Sequence, residues 1–252
     1  MKKLYALFSV ATLVLSLAAC SSESSTGPSE PVVTYAGAEF KDIGKVYAGL
    51  GESERVVFLL RHAERGSDYS REGMLTKNGE RQSKSVGEKL KGDESVFYAS
   101  SDYGRTQQTC EGIASGRGEK KYKRETWGIL ASGWFEKDSA KLDEEGRPWG
   151  AFAKEAYGVE HNGLYYDFTQ RSEEWVDSLE ARLPSMKRVN VLVSHDFLVA
   201  GMVIYASKKK VDMRYWDGGK WINYLAGVAI IIDSKGNIRY TLVRGLEDGL
   251  DK

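Results

Sequence analysis

The sequence predicts an α/β fold: a mainly parallel, doubly wound sheet with helices on both faces and an antiparallel edge hairpin near the C-terminus. Short, continuous apolar runs at 55–60, 95–100 and 189–194 are typical of strands that are covered on both faces. A segment with helical spacing follows each run, as in parallel strand–helix units. Two further apolar runs flank Lys235-Gly236-Asn237 within 226–246, which predicts the hairpin.

Helical periodicity predicts five helices, at 38–50, 75–92, 106–114, 172–184 and 197–207. Thr76 is expected to cap the second of these, because a threonine before a run of helix formers accepts hydrogen bonds from the first free N–H groups. Residues 115–170 have a weaker pattern. We expect them to form an insertion of loops and short helices that caps one end of the sheet.

The first residues have the features of an export signal. Lys2 and Lys3 precede an apolar run over 4–19, which is short for a membrane span. The sequence Leu-Ala-Ala-Cys that ends this segment resembles a bacterial lipobox, which implies cleavage before Cys20 and a diacylglycerol on its sulfur. The alternative is a plain signal peptide followed by a chance cysteine. Lipidation with more than one acyl chain would anchor the mature protein to a membrane.

This interpretation divides the chain into three parts: a lipoprotein signal peptide at 1–19, a flexible tether at 20–36 and a folded domain at 37–252. The tether segment is rich in serine and contains two prolines, a composition typical of flexible linkers. The only other cysteine, Cys110, would have no partner once Cys20 carries lipid, so we expect no disulfide and a buried thiol.

The overall composition excludes some partners. The chain has 252 residues, with 36 lysines and arginines balanced by 36 aspartates and glutamates. A chain without net charge produces no global field that attracts nucleic acid. Any binding of an anion must therefore depend on a local site.

Three predicted strands end in similar polar sequences. The first ends in Arg61-His62, the second leads through Ser100 and Ser101 to Arg105, and the third ends in Ser194-His195-Asp196. In open α/β sheets, ligands bind at the carboxyl ends of neighbouring strands. We therefore expect two arginines and two histidines to converge on one crevice, beside helix N-termini that favour anions.

These motifs together resemble the histidine phosphatase superfamily, whose fold is phosphoglycerate-mutase-like. The resemblance covers most of 53–245 and is carried by LLRHAER (59–65), LTKNGERQ (75–82), SSDYGRTQQT (100–109) and VLVSHD (191–196). Ala63 stands where the family has glycine. The segment 115–170 is the part that the resemblance covers least.

The resemblance implies roles for the strand-end residues. His62 is the implied nucleophile, which would form a phosphohistidine, and the guanidinium groups of Arg61 and Arg105 match phosphate oxygens in pairs. A protonated His195 would add a third positive contact. Glu64 and Arg65 are expected to contact the substrate, with a loop ion pair as the alternative. No metal and no other cofactor is implied.

The proton donor to the leaving oxygen is less clearly marked. The mutase-like branch of the family uses a glutamate where this chain has Ala131 and Ser132. The acid-phosphatase-like branch uses an aspartate after the second histidine, which implies Asp196 here. The alternative for Asp196 is an N-cap of the helix predicted from residue 197. Three other carboxylates are reserve candidates for the acid: Glu136, Glu125 and Asp138.

The predicted function is that of an exported, lipid-anchored phosphatase acting on small phosphorylated molecules, which faces the periplasm or the cell exterior. The alternatives are a non-catalytic phosphate-binding or surface-interaction protein with the same fold, and a mutase-type phosphotransferase. Export favours a phosphatase over a mutase, because glycolytic intermediates lie inside the cell. The sequence leaves the physiological substrate, the membrane and the oligomeric state open.

Overall fold

The computed structural model describes residues 31–251 of the chain. The strands are β1 (Val33–Thr34), β2 (Lys41–Asp42), β3 (Arg55–Arg61), β4 (Val96–Ser100), β5 (Glu125–Thr126), β6 (Val189–Ser194), β7 (Trp221–Ile222), β8 (Gly227–Ile232), β9 (Ile238–Arg244) and β10 (Leu250–Asp251). The helices are α1 (Ile43–Ala48), α2 (Lys77–Lys89), α3 (Gly104–Arg117), α4 (Ser139–Glu144), α5 (Trp149–Tyr157), α6 (Phe168–Glu180) and α7 (Asp196–Ala206). Short 3-10 turns lie at Gly128–Leu130, Ser132–Phe135, Leu183–Ser185 and Tyr215–Asp217.

The main sheet has the strand order β1-β9-β8-β3-β6-β4-β5, and β2 pairs with β9 beside β1. Strands β3, β6, β4 and β5 run parallel to one another, whereas β8 runs antiparallel to both β3 and β9. The predicted fold class, a mainly parallel sheet with a C-terminal antiparallel hairpin, is confirmed. The hairpin does not end the sheet, however, because β1 and β2 pair with the outer side of β9.

Apolar side chains leave the central strands on alternate faces and pack under helices on both. Leu59 and Leu192 belong to the core that includes residues of α5, α6 and α7. Phe58 and Val191 belong to the other core, which includes Val86 of α2 and residues of α3. Full burial of each such side chain contributes about 1.5–3 kcal/mol. The continuous apolar runs follow from this double coverage.

Helices α2 and α3 approach each other closely through glycines. A Cβ at Gly87 would collide with the backbone oxygen of Ile113, and a Cβ at Gly116 would collide with that of Lys84. This contact fixes α3, whose first turn carries Arg105. Cys110, in the middle of α3, is buried and free, and burial raises the pKa of its thiol to about 12.

Only part of the predicted N-terminal segment lies within the described residues. The signal peptide and Cys20 lie outside the described residues. The predicted tether extends too far, because Val33–Thr34 pairs with β9 and the backbone N–H of Ala36 donates to the carbonyl of Ala206 at 2.8 Å. Within residues 31–251, none of the helices combines the length and the apolar character that a membrane span requires.

Two of the five predicted helices differ from the observed bounds by more than three residues at one end or at both. The helix predicted over 38–50 is only Ile43–Ala48, because Lys41–Asp42 pairs with β9 and the carboxylate of Asp42 caps the helix. The helix predicted over 172–184 is Phe168–Glu180, since Asp167 accepts a hydrogen bond from the N–H of Gln170 at 2.8 Å and begins the helix earlier. The cap at Thr76 is present as predicted, with the N–H of Gly79 at 3.0 Å.

Candidate active site

The three polar strand ends lie side by side. Strand β6 lies between β3 and β4, with Ser194 opposite Arg61 and Val193 opposite Ser100. A cavity of about 840 Å³ opens above this edge of the sheet, and its wall includes His62, Arg105, His195 and Asp196. The convergence expected from the sequence is therefore what the sheet order produces, because the carboxyl ends of neighbouring parallel strands meet at one edge.

His62 presents a free ring nitrogen to this cavity. Its Nδ1 lies 2.8 Å from the carbonyl oxygen of Ala63, so Nδ1 carries the proton and donates it. Its Nε2 has no hydrogen-bond partner among the described residues and keeps its lone pair. Burial, followed by the positive charges of Arg61 and its neighbours, lowers the pKa of His62 well below its usual value. The ring is therefore neutral at neutral pH.

His195 is also neutral in the absence of a bound anion, so the third positive contact depends on proton uptake. Its Nδ1 lies 3.4 Å from Nη2 of Arg105, which can only donate, so Nδ1 accepts and Nε2 donates to Oγ of Ser101 at 2.8 Å. Burial and then the charge of Arg105 lower the pKa of His195 to about 3. A protonated His195 therefore requires a bound dianion to offset these cations.

Arg105 and Arg61 occupy different positions relative to the cavity. Arg105 lies on the wall, where its Nη1 donates to the carbonyl of Ser70 at 2.8 Å. Arg61 lies behind the wall: it is 3% exposed, donates to the carbonyl of Ile222 and stacks on the ring of Tyr224 at 4.2 Å. The structure thus places one of the two predicted phosphate-binding arginines in direct reach of the cavity and the other beneath it.

Asp196 is on the cavity wall at the first residue of α7. Its Oδ2 lies 3.6 Å from Nη2 of Arg61 and 3.4 Å from Nε1 of Trp221. Helix α7 begins at Asp196 itself, with His195 in the N-cap position. The N-cap position is therefore held by His195 and not by Asp196, although Oδ1 of Asp196 accepts a hydrogen bond from the N–H of Phe197 at 3.0 Å at the start of the helix.

The reserve acids separate clearly. Glu136 lies on the cavity wall, paired with Arg147 and accepting a hydrogen bond from Ser139 at 2.8 Å. Glu125 accepts from Nε1 of Trp127 at 2.8 Å, and Asp138 caps α4; neither lines the cavity. Glu125 and Asp138 are therefore not placed to donate a proton to a substrate.

Of the two other predicted substrate contacts, only one lies on the cavity wall. The carboxylate of Glu64 binds the side chains of Thr76 and Asn78 at the start of α2, at 2.6 and 2.9 Å, and Glu64 does not line the cavity. The expected contact of Glu64 with substrate is therefore not supported by its position. Arg65 does line the cavity, with its guanidinium stacked on Tyr69 at 3.6 Å and no carboxylate partner among residues 31–251.

The segment 115–170 borders the site, since half of the residues on the cavity wall come from it. Arg147 is among those that the sequence analysis missed. Tyr224, which stacks on Arg61 and lies 5.7 Å from the ring of His62, was also missed. These residues belong to no motif, and only the path of the chain brings them to the strand ends.

The fold and the strand-end residues define an α/β protein with a cavity lined by two histidines and by arginines at the carboxyl edge of its sheet. The family model of the histidine phosphatase superfamily (branch 1) matches residues 57–223. The chain belongs to this superfamily, and the sequence-based assignment is confirmed.

Solved structures resemble the chain at low sequence identity. The Bacillus stearothermophilus protein YhfR is 15% identical, with a TM-score of 0.52 and coverage of 77% of this chain and 98% of that one. Phosphoglycerate mutase from Bacillus anthracis is 19% identical (TM-score 0.48; 76% and 92% covered). A mycobacterial glucosyl-3-phosphoglycerate phosphatase is 20% identical (TM-score 0.48; 77% and 100% covered). No curated protein matches. At these identities the likeness to YhfR supports the fold alone.

Proposed function

We propose that this protein hydrolyses phosphate monoesters through a phosphohistidine formed on His62. The state of His62 is the observation that carries the proposal. Its Nδ1 proton is held by the carbonyl of Ala63, its Nε2 is free, and its lowered pKa keeps the ring unprotonated. An unprotonated imidazole nitrogen facing a cavity lined by arginines is the nucleophile that phosphoryl transfer requires.

In the first step the lone pair of His62 Nε2 attacks phosphorus. The P–O bond to the leaving group breaks, and its electron pair goes to the ester oxygen. Asp196, in its protonated form, donates a proton to that oxygen. In the second step the Asp196 carboxylate accepts a proton from water as the water oxygen attacks phosphorus, and the P–N bond breaks with its pair returning to Nε2.

Positive groups stabilise the charge that spreads over the equatorial oxygens. Arg105 and Arg65 supply guanidinium donors from the cavity wall, and the N-termini of α3 and α7 begin beside them. His195 accepts a proton when the phosphate dianion binds. Arg61 acts from beneath the wall, where it holds the carboxylate of Asp196 and stacks on Tyr224.

We further propose that the protein is exported and anchored to a membrane by lipid on Cys20. The basic start, the apolar run and the Leu-Ala-Ala-Cys sequence support this. The reaction uses side chains of this chain alone, and we propose that it needs no metal.

Acid quenching after mixing with a labelled aryl phosphate tests the catalytic proposal. The wild-type protein should give an acid-labile, base-stable phosphoenzyme together with steady turnover, and His62→Ala should lose both. His161→Ala is the matched control, since His161 is an exposed histidine bound to Glu155 and does not line the cavity. A phosphoenzyme that persists in His62→Ala would overturn the proposal.

A phosphate-binding protein without activity is the second candidate. The contact between Asp196 and Arg61 favours it, because a carboxylate that is engaged by a buried guanidinium is less available to the leaving oxygen of a substrate. Calorimetric binding of phosphate esters without turnover anywhere between about pH 4 and 8 would identify this case.

A further inference from the structure

The cavity is much larger than the group that would react in it. Its volume is about 840 Å³, whereas a phosphate fills on the order of 100 Å³, judged from about 30 Å³ for a water molecule. The remaining space is bounded by residues of the segment 115–170, which include Glu136, Asp143 and Arg147. We call these three residues the outer cluster. It lines the same cavity as His62, beyond the space that the phosphate itself would fill.

The outer cluster has the features of a built site. Arg147 has a φ of 49°, a left-handed conformation that costs a non-glycine residue energy and is concentrated at functional positions. Its guanidinium pairs with Glu136 and, through Nε, with Asp143 at 2.7 Å. The side chain of Glu136 is 7% exposed, so its charge is screened little by solvent.

The charged side chains along the cavity are nearly balanced. Its wall and the underlying Arg61 hold five arginines and four carboxylates. The arginines are Arg61, Arg65, Arg71, Arg105 and Arg147; the carboxylates are Asp102, Glu136, Asp143 and Asp196.

The distribution of these charges is uneven. Arg71 is paired with Asp102 at 3.0 Å, and Arg61 lies against Asp196. Arg65 and Arg105 have no carboxylate partner within residues 31–251. These two arginines therefore carry the positive charge that one phosphate dianion would neutralise. The outer cluster sets two carboxylates against one arginine and is net negative.

We propose that the substrates are phosphate monoesters of alcohols that carry no negative charge, and that Glu136 and Asp143 exclude anionic leaving groups. This rests on the proposed function. An alcohol with hydroxyl groups or an ammonium finds carboxylate acceptors at the outer cluster. A carboxylate or a second phosphate there meets like charge in a partly buried cavity, where repulsion is stronger than in water.

A matched pair of esters tests the inference. Glycerol 3-phosphate and 3-phosphoglycerate differ mainly in an uncharged CH₂OH against a carboxylate. We expect kcat/KM to favour glycerol 3-phosphate by about tenfold or more, the size of one ordinary charge contact. Phosphoethanolamine, with a cationic leaving group, shows whether the outer cluster prefers a cation to a neutral group. The proposal is supported whether phosphoethanolamine or glycerol 3-phosphate has the higher kcat/KM, provided that 3-phosphoglycerate has the lowest kcat/KM of the three esters.

The variants Glu136→Gln and Asp143→Asn should each lower the ratio of kcat/KM for glycerol 3-phosphate to kcat/KM for 3-phosphoglycerate. Asp143 is 68% exposed, so its replacement tests the idea in a protein whose folding is not at risk. Glu145→Gln, an exposed neighbour that does not line the cavity, makes the same charge change and should leave the ratio as in the wild type. A ratio that stays constant in both cavity variants would overturn the inference, as would equal falls in kcat for both esters in Glu136→Gln, which identify Glu136 as the proton donor.

The failure of this inference is distinct from that of the proposed function. Turnover of 3-phosphoglycerate as fast as glycerol 3-phosphate, with a phosphoenzyme on His62, would reject the charge selection alone. Absence of turnover with all three esters and with the aryl phosphate would reject the hydrolytic function and the selection together.

Discussion

The imidazole rings of His62 and His195 meet edge to face, with their centroids 5.6 Å apart and their planes at 69°. Both rings are buried beside arginines, so both lose their protons easily, but their nitrogens are used differently. His195 is held at both nitrogens, by Ser101 and Arg105. His62 is held at Nδ1 only. The pair thus has one fixed ring and one ring with a free nitrogen.

The first prediction concerns the protonation of these rings. Because their pKa values are lowered, neither His62 nor His195 should titrate between about pH 5 and 8 in the absence of phosphate. NMR titration of the histidine ring signals, assigned with His62→Ala and His161→Ala, measures this. A midpoint near the ordinary histidine value for either buried ring would contradict the prediction.

The same shifts determine the effect of acid on stability. Below the ordinary histidine pKa the unfolded chain binds protons that the folded protein does not, so the free energy of unfolding should fall as the pH decreases toward 3. The slope from each histidine is about 1.4 kcal/mol per pH unit. Urea unfolding at a series of pH values measures it, and His195→Gln should make the dependence shallower.

Asp196→Asn should separate substrates by their leaving groups. The variant has no proton to donate, so kcat/KM for alkyl phosphates should fall by about 10²–10⁴-fold. The loss for 4-nitrophenyl phosphate should be much smaller, because 4-nitrophenolate leaves without a proton. Equal losses for both kinds of ester would show that Asp196 is not the acid. Glu125→Gln, outside the cavity, provides the matched control.

Ser101→Ala should affect the reaction without touching the nucleophile. Oγ of Ser101 accepts a hydrogen bond from Nε2–H of His195, which leaves Nδ1 of His195 to face Arg105. Loss of this buried hydrogen bond costs about 1–3 kcal/mol, or roughly tenfold to a hundredfold in kcat/KM. Steady-state kinetics at several pH values would measure it. Ser115→Ala, at an exposed position of α3, should be neutral; an unchanged Ser101→Ala enzyme would contradict the proposed role.

Gly116→Ala should destabilise the fold. The added methyl group would meet the backbone of Lys84 on α2, which cannot move aside as a flexible side chain can. We expect a loss of about 1–3 kcal/mol in the free energy of unfolding, measured by urea titration. The substitution Ser115→Ala, one residue away on the exposed side of the helix, provides the baseline. If Gly116→Ala equals it, the close approach of α2 and α3 is not the determinant.

Cys20→Ser should release the protein from the membrane. Without the sulfur no diacylglycerol can be attached, and stable anchoring is lost. Fractionation of cells and the mass of the mature N-terminus measure the change, with Ser22→Ala as the control. A Cys20→Ser protein that still sediments with membranes would indicate an ordinary signal peptide and a different mode of attachment.

Local signals in the sequence were strong enough to predict the five long strands, the cap at Thr76 and the motif residues. Apolar runs, capping residues and strand-end polar residues act over a few positions, so they can be recognised from the sequence without knowledge of the fold. Helix bounds were less accurate where a residue distant in sequence forms a competing contact. The pattern at Lys41–Asp42 predicts a helix, but these residues pair with the edge of β9 as a strand. Whether His195 carries a proton could not be predicted from the sequence, because its burial and its contact with Arg105 depend on the whole site.

By itself, the sequence determined the superfamily, the order of the five long strands with the main helices between them, and the identity of His62, Arg105 and His195 as neighbours at one sheet edge. Only the tertiary structure decided that Arg61 lies beneath the cavity and that Glu64 is taken up by α2. It alone placed Glu136 and Arg147 on the cavity wall. The physical reason is range: a motif fixes where a residue stands along the chain, whereas exposure, ion pairing and charge balance are set by residues that are distant in sequence and close in space.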